Sequence, residues 1–313
     1  MKRSGAEGHP SMKVSLSVDQ AAREILQKSF CIFQSNPTVR NQISRSRSEA
    51  LKILDRPLLF ESLSRSCHQV IDGNLHGFHL PSNAKRLFRA FPSSKLQPWP
   101  NSTFKSSSQD LSASLHGILV DILNKLRELS ESKSGDYGTE TNPKPNQLTD
   151  NKTTLQSRRK RKRGWEESNT KSAKAVPTDN TYSVPTTVKE TTKCPLDYFF
   201  YHNNDSRYIN CSEHIDRGAL ICICLSSTTP GLEVLPRGAN GFVCPEETLI
   251  DHNNLDDERN DDDAAAAAAS ELICVMAGDQ LGTMLGKERM ACVHRVRNDL
   301  PRPRLSISYE LRL

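Results

Sequence analysis

The sequence is poor in apolar and aromatic residues, which make up 35% and 6% of its 313 residues, and its mean hydropathy is −0.59. A chain of this composition is not expected to pack along its whole length, so we predict that part of it is disordered. No apolar run reaches the roughly 20 residues of a membrane-spanning helix, so we predict no membrane span. The start, MKRSGAEGHPSMK, lacks the apolar core of a signal peptide, and we expect a protein that is not secreted.

The cysteines lack the spacing of a metal-binding or redox motif. There are nine, an odd number, and none forms a C-x-x-C pair. Several lie inside apolar runs: Cys222, Cys224, Cys274 and Cys292. This usage predicts reduced, buried thiols of an intracellular protein rather than a disulfide framework.

The net charge of +5 is unevenly distributed between the two parts of the chain. Residues 194–313 hold 11 Lys+Arg and 19 Asp+Glu, whereas residues 1–193 hold 31 and 18, a balance of −8 against +13. The basic part contains six consecutive basic residues, Arg158–Arg163. This run could bind a nuclear import receptor, contact nucleic acid or be simply solvated. We favour import, hence a nuclear or cytoplasmic protein, because without interleaved aromatic residues nucleic-acid binding is unsupported.

Residues 1–130 are predicted to form an N-terminal helical region. SVDQAAREILQKSF begins with Ser17 and Gln20 at capping-box spacing, and Ser48 to about Val70 is a weaker helical region interrupted by Pro57. The clearest helix is DLSASLHGILVDILNKLRELS, which carries a wide apolar stripe. Residues 131–193 are rich in Ser, Thr, Asn, Pro and Lys, and are predicted to be a disordered basic linker.

From residue 194 to 313 the pattern changes to short β runs separated by Gly, Pro, Asn and Asp. Runs such as ALICICL, ELICVMAG and RLSISYELRL predict a sandwich or barrel, with a jelly roll as one solution. Residues 251–270, an acidic run followed by six alanines, do not fit this pattern and are predicted to be an insert. The predicted fold class is therefore α+β, with N-terminal helices packed on a β core and long disordered insertions.

One β run begins with an unusual set of polar residues. In CSEHIDRGALICICL, His214 and Asp216 are two positions apart, so on a strand they would point to the same side. A further apolar run, ACVHRV, supplies His294. Two histidines and one carboxylate on one face of a metal leave three positions open, which is typical of non-haem Fe(II) oxygenases. We predict that His214, Asp216 and His294 are metal ligands; His-x-Asp alone would more often be a surface pair.

A second polar pair follows ten residues after His294. Arg304 and Ser306 in RLSISYELRL are again two positions apart on a predicted strand. A guanidinium fork together with a hydroxyl is a suitable receptor for a carboxylate. By itself Arg304 would more often be an ordinary surface arginine, and only its spacing from His294 favours the functional interpretation.

The order H-x-D, H-R-V and R-x-S resembles the Fe(II)/2-oxoglutarate-dependent dioxygenases, especially the soluble plant type related to isopenicillin N synthase. PGLEVLPRGANGFVCP and ELICVMAGDQLGTMLGKERMACVHRV are similar to further segments of that family. The similarity covers residues 194–313 well and the N-terminal helices only faintly. The gap of 78 residues between Asp216 and His294 is longer than is usual in the family, because it includes the insert.

The resemblance implies a double-stranded β-helix, or jelly-roll, core over residues 194–313. It implies Fe(II) on the three ligands, O₂, and 2-oxoglutarate held by Arg304, Ser306 and Tyr201, with no catalytic residue beyond the metal centre. Phe199 stands where the family has Asn, so Tyr201 could equally be an aromatic core residue. The implied reaction is hydroxylation or demethylation of a small molecule with release of succinate and CO₂. The alternatives are a non-catalytic nuclear interaction protein with this fold, or a nuclear oxygenase acting on nucleic acid or protein.

Overall fold

The computed structural model describes residues 14–71, 73–82, 85–132, 193–202, 210–225, 229–247, 272–287, 289–298, 300 and 302–313. The chain divides into two compact units. One comprises Met1–Ser134 and Val188–Leu313 and contains all described residues; the other, Gly135–Thr187, lies outside them. Most of the predicted linker, the basic run Arg158–Arg163 and the insert at 251–270 also lie outside the described residues, so these predictions stay predictions.

Three of the described helices begin after a residue whose side chain caps them. The Ser17 side chain accepts a hydrogen bond from Gln20 N, and Gln20 Oε1 accepts one from Leu16 N, so both members of the predicted capping box bind backbone. The second helical region is interrupted at Pro57, as predicted: one helix ends at Leu54, and Pro57 occupies the first turn of the next, where its missing N–H costs nothing. The described helices are α1 Val18–Lys28, α2 Pro37–Leu54, α3 Pro57–Ser66, α4 Ser102–Glu131 and α5 Asp279–Met284. None of them has an apolar stretch long enough to cross a membrane.

The strands among the described residues form two sheets. Nine strands make the large sheet in the order β1-β2-β10-β8-β12-β6-β5-β4-β3, and three make the small sheet in the order β7-β11-β9. The first five strands are β1 Val14–Ser15, β2 Phe30–Gln34, β3 His68–Ile71, β4 Asn74–Ser82 and β5 Lys85–Ala90. The others are β6 Leu196–Tyr201, β7 Cys211–His214, β8 Leu220–Cys224, β9 Leu232–Leu235, β10 Leu272–Ala277, β11 Val293–Val296 and β12 Arg304–Leu311.

Side chains of each central strand of the large sheet point alternately to its two faces, so one set packs under the helices and the other points toward the small sheet. On β6, Tyr198 and Phe200 join the core under the helices, and the Tyr198 hydroxyl is 2.8 Å from Ser108 Oγ of α4. Asp197, Phe199 and Tyr201 face the opposite side, toward a cavity. A second core between the sheets contains side chains of β2, β8, β9 and β10. This arrangement confirms the predicted α+β class with a jelly-roll core.

The N-terminal region differs from the prediction because it is not only helical. It also contributes β1 to β5 to the large sheet. Strand β2 pairs with β10, and β5 pairs with β6, so the sheet continues across the predicted boundary at residue 194. The reason is that sequence periodicity can predict a strand but not its neighbour in the sheet, which depends on how the whole chain folds.

All nine cysteines lie in the described residues, and all are free thiols. Seven are buried, including Cys222, Cys224 and Cys274 inside strands of the large sheet. Burial raises the pKa of the Cys244 thiol to about 11 and that of Cys292 to about 12. The thiols of Cys244 and Cys292 are therefore neutral, and the seven buried cysteines are reduced packing groups, as the sequence predicted.

Candidate metal centre

The two histidines of the predicted triad are brought together by strand pairing. Strands β7 and β11 of the small sheet are antiparallel, and His214 stands directly opposite His294. The ring centroids are 4.2 Å apart. The pairing continues on the other side of β11, where His294 is opposite Val234 of β9. His294 is therefore held in a central strand, which limits its movement.

Asp216 reaches the same point from a loop rather than from the strand that the sequence predicted. Strand β7 ends at His214, and the backbone of Asp216 is held by a hydrogen bond from Asp279 N to its carbonyl oxygen, at 2.9 Å. Its Oδ1 lies 3.5 Å from His214 Nε2, and its Oδ2 lies 3.4 Å from His294 Nε2. One donor atom from each of the three residues falls within a mutual distance of 4.8 Å.

The backbone orients both imidazoles for ligation. His214 Nδ1 lies 2.8 Å from the carbonyl oxygen of Ser212, and His294 Nδ1 lies 3.4 Å from that of Cys292. An Nδ1–H that donates to a carbonyl oxygen leaves the lone pair on Nε2. In both rings that nitrogen faces Asp216, so two imidazole nitrogens and one carboxylate converge.

The three groups titrate differently because their surroundings differ. The hydrogen bond with Asp216, followed by that with Cys211, raises the pKa of His214 to about 10. Burial lowers the pKa of His294, whose side chain is only 5% exposed. Burial alone would raise the pKa of Asp216, but the hydrogen bond with His214 and the positive charge around it lower that pKa overall. The carboxylate is thus ionised at neutral pH and available to a cation.

The triad lies on the wall of a cavity of about 80 Å³ between the two sheets. The large sheet supplies one side of this cavity and the small sheet supplies the other. The lining residues are Arg89, Asp197, Phe199, Tyr201, Cys211, His214, Asp216, Ile223, Leu232, His294, Val296, Ser306, Ser308 and Glu310. The metal candidates therefore share this cavity with side chains of β5, β6 and β12.

Tyr201 and Ser306, the two predicted helpers of the acid receptor, both line this cavity. They are 3% and 4% exposed, respectively. Burial raises the pKa of the Tyr201 phenol well above its usual value, so the hydroxyl stays protonated and can donate a hydrogen bond. Tyr201 also lies opposite Arg304 in the β6–β12 pairing, which places it beside the predicted carboxylate-binding arginine.

Arg304 opens β12 two residues before Ser306, but it is not among the residues that line the cavity. Its side chain is fully buried, and its Nη1 lies 2.8 Å from Glu246 Oε1. Nη1 also donates to the carbonyl oxygen of Thr229 at 2.5 Å. Among the described residues, Nε and Nη2 of the same guanidinium have no hydrogen-bond partner.

Solved structures with a similar fold identify this architecture. The chain is similar to a full-length Neurospora crassa protein in complex with alpha-KG and 5-formyluracil, at a TM-score of 0.57 and 14% identity, over 94% of this chain and 78% of that one. It is similar to the rice dioxygenase for auxin oxidation at a TM-score of 0.55 and 15% identity, with the same coverage. The chain has the fold of the 2-oxoglutarate/Fe(II) oxygenases.

A further oxygenase-fold neighbour is the Arabidopsis thaliana dioxygenase for auxin oxidation 1, a 2-oxoglutarate complex, at a TM-score of 0.56 and 12% identity over 96% of this chain and 92% of that one. No protein-family model matches the chain, and no curated protein matches it. The predicted relation to isopenicillin N synthase stays a prediction.

The oxygenase fold brings into the cavity an ion pair that the sequence did not predict. Arg89 of β5 stands opposite Asp197 of β6, and its Nε and Nη2 bind the two carboxylate oxygens at 2.7 and 2.5 Å. Both residues line the cavity that holds the triad. The acid inside the apolar run LDYFFY was a signal that could have been recognised, because an unpaired carboxylate is costly on a buried strand.

Glu246 is the second functional candidate that sequence reasoning missed. It follows the segment GFVCP, which was recognised, but no motif or spacing connects it with Arg304. Its side chain is only 2% exposed. The contact depends on the path of the chain after β9, which local periodicity does not report.

Proposed function

We propose that the protein is an Fe(II)- and 2-oxoglutarate-dependent oxygenase that hydroxylates or demethylates a small organic substrate, with release of succinate and CO₂. The observation that carries this proposal is the convergence of His214, Asp216 and His294 on the wall of one cavity. The oxygenase fold supports it, because this arrangement lies between the two sheets of a jelly roll.

The donor set fits a divalent iron. Two imidazole nitrogens and one carboxylate form a facial triad that leaves coordination positions open for small ligands. Both imidazoles are fixed by a backbone carbonyl on the nitrogen remote from the metal position, which is the outer support that ligating histidines usually have. A metal would replace the proton that His214 otherwise shares with Asp216.

The residues around Arg304 fit a dicarboxylic co-substrate. A fully buried guanidinium with two nitrogen atoms that lack a partner among the described residues is a receptor for an acid. Ser306 and Tyr201 place hydroxyl groups in the adjoining cavity. Fe(II) would supply the activation of O₂, while these side chains bind and orient the acid and the sheets exclude water.

A small substrate is favoured by the neighbours of the same fold. The Neurospora crassa protein is complexed with 5-formyluracil, and the rice enzyme is a dioxygenase for auxin oxidation. The cavity that contains the triad is narrow, and it carries the Arg89–Asp197 ion pair in addition to the aromatic side chains. We propose a small organic molecule with polar groups as the substrate.

The decisive experiment compares the purified chain with its His294→Ala variant. We expect wild-type protein to bind Mn(II), used in place of Fe(II), and to release succinate only when Fe(II) and 2-oxoglutarate are both present. The variant should bind Mn(II) about 100-fold more weakly, because even the loss of a residue that only supports a ligand weakens binding by roughly 10–100-fold. It should release no succinate.

The matched control is His68→Ala, which removes an exposed histidine that does not line the cavity. Succinate release that survived in His294→Ala would contradict the assignment.

A further inference from the structure

Glu246 is a buried carboxylate whose two oxygen atoms both have strong donors. Oε2 accepts hydrogen bonds from Gly231 N at 2.8 Å and from Leu232 N at 3.1 Å. Oε1 lies 2.8 Å from Arg304 Nη1. Two backbone amides and a guanidinium form a complete carboxylate-binding site, and a residue of the chain itself occupies it.

This carboxylate is firmly held in its position. Arg304 is fully buried and Glu246 is 2% exposed, so solvent does not compete with their ion pair. Moving Glu246 away would leave a buried guanidinium without its counter-charge and two backbone N–H groups without their acceptor, which costs far more than breaking a surface ion pair. We therefore expect Glu246 to remain in place when an external acid arrives.

One edge of Arg304 keeps hydrogen-bond donors that no described residue uses. Its Nη1 is used by Glu246 and by the carbonyl oxygen of Thr229, at 2.8 and 2.5 Å. Its Nε and Nη2 are buried and have no partner among the described residues. These two nitrogens form the edge of a guanidinium that binds a carboxylate with two parallel hydrogen bonds.

An acid bound on that edge meets two opposing charges. Arg304 attracts it, whereas the fixed carboxylate of Glu246 on the other side of the same guanidinium repels it. At a separation of several ångströms and an effective dielectric constant of about 20, such repulsion weakens binding by about tenfold or more.

We propose that Glu246 is a resident counter-charge that lowers the affinity of Arg304 for the distal carboxylate of the co-substrate. This inference rests on the proposed function, since it concerns the same arginine. Its consequence is a higher dissociation constant for the co-substrate, because the acid must bind against a permanent negative charge. The oxygenase is then saturated only at high co-substrate concentration.

The test uses the full chain loaded with Mn(II) and titrated by calorimetry with two acids. One is 2-oxoglutarate; the other is 2-oxopentanoate, which carries a methyl group in place of the distal carboxylate. The dissociation constant of 2-oxopentanoate divided by that of 2-oxoglutarate is the ratio that measures what the distal carboxylate contributes. We expect Glu246→Gln to raise this ratio about tenfold, by tightening 2-oxoglutarate binding while leaving 2-oxopentanoate binding unchanged. The neighbouring Glu247→Gln is the matched control, since Glu247 is half-exposed and pairs with Arg297 instead.

An unchanged or smaller ratio in Glu246→Gln would overturn the inference and would make Glu246 a residue that only positions Arg304. The inference would also be supported if Glu246→Gln bound 2-oxoglutarate and the wild-type protein did not. If neither protein binds 2-oxoglutarate although both bind Mn(II), the proposed co-substrate is wrong, and the inference falls with it.

A crystal structure of the wild-type protein with Mn(II) and 2-oxoglutarate tests the inference without any variant. The expected arrangement keeps Glu246 on Gly231 N and Leu232 N, with the acid on Nε and Nη2 of Arg304. Displacement of Glu246 by the co-substrate carboxylate would contradict it.

Discussion

The chemistry of single residues in this protein depends on which hydrogen-bond partners remain available to each polar atom once the side chain is buried. His294 is ready for a metal because Cys292 offers a carbonyl oxygen to one nitrogen and the cavity receives the other. Arg304 is ready for an acid because only one of its nitrogen atoms has partners among the described residues. In both cases the side chain is almost completely buried, so an unused polar atom has a high free-energy cost until a ligand meets it.

His79 also has a buried polar atom without a partner, although it lies outside the candidate site, and this leads to a prediction for stability. It lies in β4, is 9% exposed, and its Nε2 has no partner among the described residues. Burial, followed by the positive charges of His68 and Arg89, lowers its pKa from 6.5 to about 4. Between these two pH values the unfolded chain binds more protons at His79 than the folded chain does. Its contribution to stability is therefore present above pH 6.5 and is lost as the pH falls toward 4.

We expect His79→Gln, which cannot titrate, to reduce the fall in Tm between about pH 7 and pH 5. The measurement is thermal unfolding of wild type and variant at both values. Equal decreases of Tm in the two proteins would show that His79 does not carry this pH dependence.

At the scale of secondary-structure elements, the junction between β10 and α5 holds in place the loop between β7 and β8, which carries Asp216. Gly278 packs so closely on the loop before β8 that a Cβ atom would lie 2.0 Å from the carbonyl oxygen of Gly218. The next residue, Asp279, donates its backbone N–H to the carbonyl oxygen of Asp216. The glycine is therefore required for close approach, and the approach fixes a candidate ligand.

Two glycine substitutions should consequently have opposite effects. Gly278→Ala should lower the Tm and weaken Mn(II) binding, because the backbone must move away from Asp216. Gly117→Ala, at an exposed position of α4 with no heavy atom within 4 Å of the added methyl group, should stabilise the protein by about 0.5–1 kcal/mol. Thermal unfolding and Mn(II) titration of both variants measure the two effects. A Gly278→Ala variant that binds Mn(II) as wild type does would contradict the role of the junction.

Over the whole molecule, the β core depends on strands and helices from the N-terminal half. Strand β5 extends the sheet beyond β6, β2 extends it beyond β10, and α4 covers the face that bears Tyr198. The apolar stripe of α4 is buried as predicted, apart from the partly buried Ile118: Leu111, Leu115, Leu119, Ile122, Leu123 and Leu126. Residues 194–313 would expose this apolar face if they stood alone.

We therefore expect a fragment of residues 194–313 to lack a cooperative thermal transition and to aggregate. The full chain should unfold cooperatively under the same conditions. A soluble fragment with a sharp transition and wild-type Mn(II) affinity would show that the predicted domain boundary at residue 194 is a real one.

The sequence by itself determined the local patterns: the capped helix after Ser17, the stripe of α4, the β runs after residue 194, and the spacing that singled out His214, Asp216 and His294. These follow from periodicity, capping and motif order, which are properties of neighbouring residues. Only the tertiary structure decided that Arg89 binds Asp197, 108 residues away, and that Glu246 binds Arg304. The physical reason is that a buried charge takes its partner from whichever strand or loop the folded chain brings beside it, and sequence spacing does not encode that proximity.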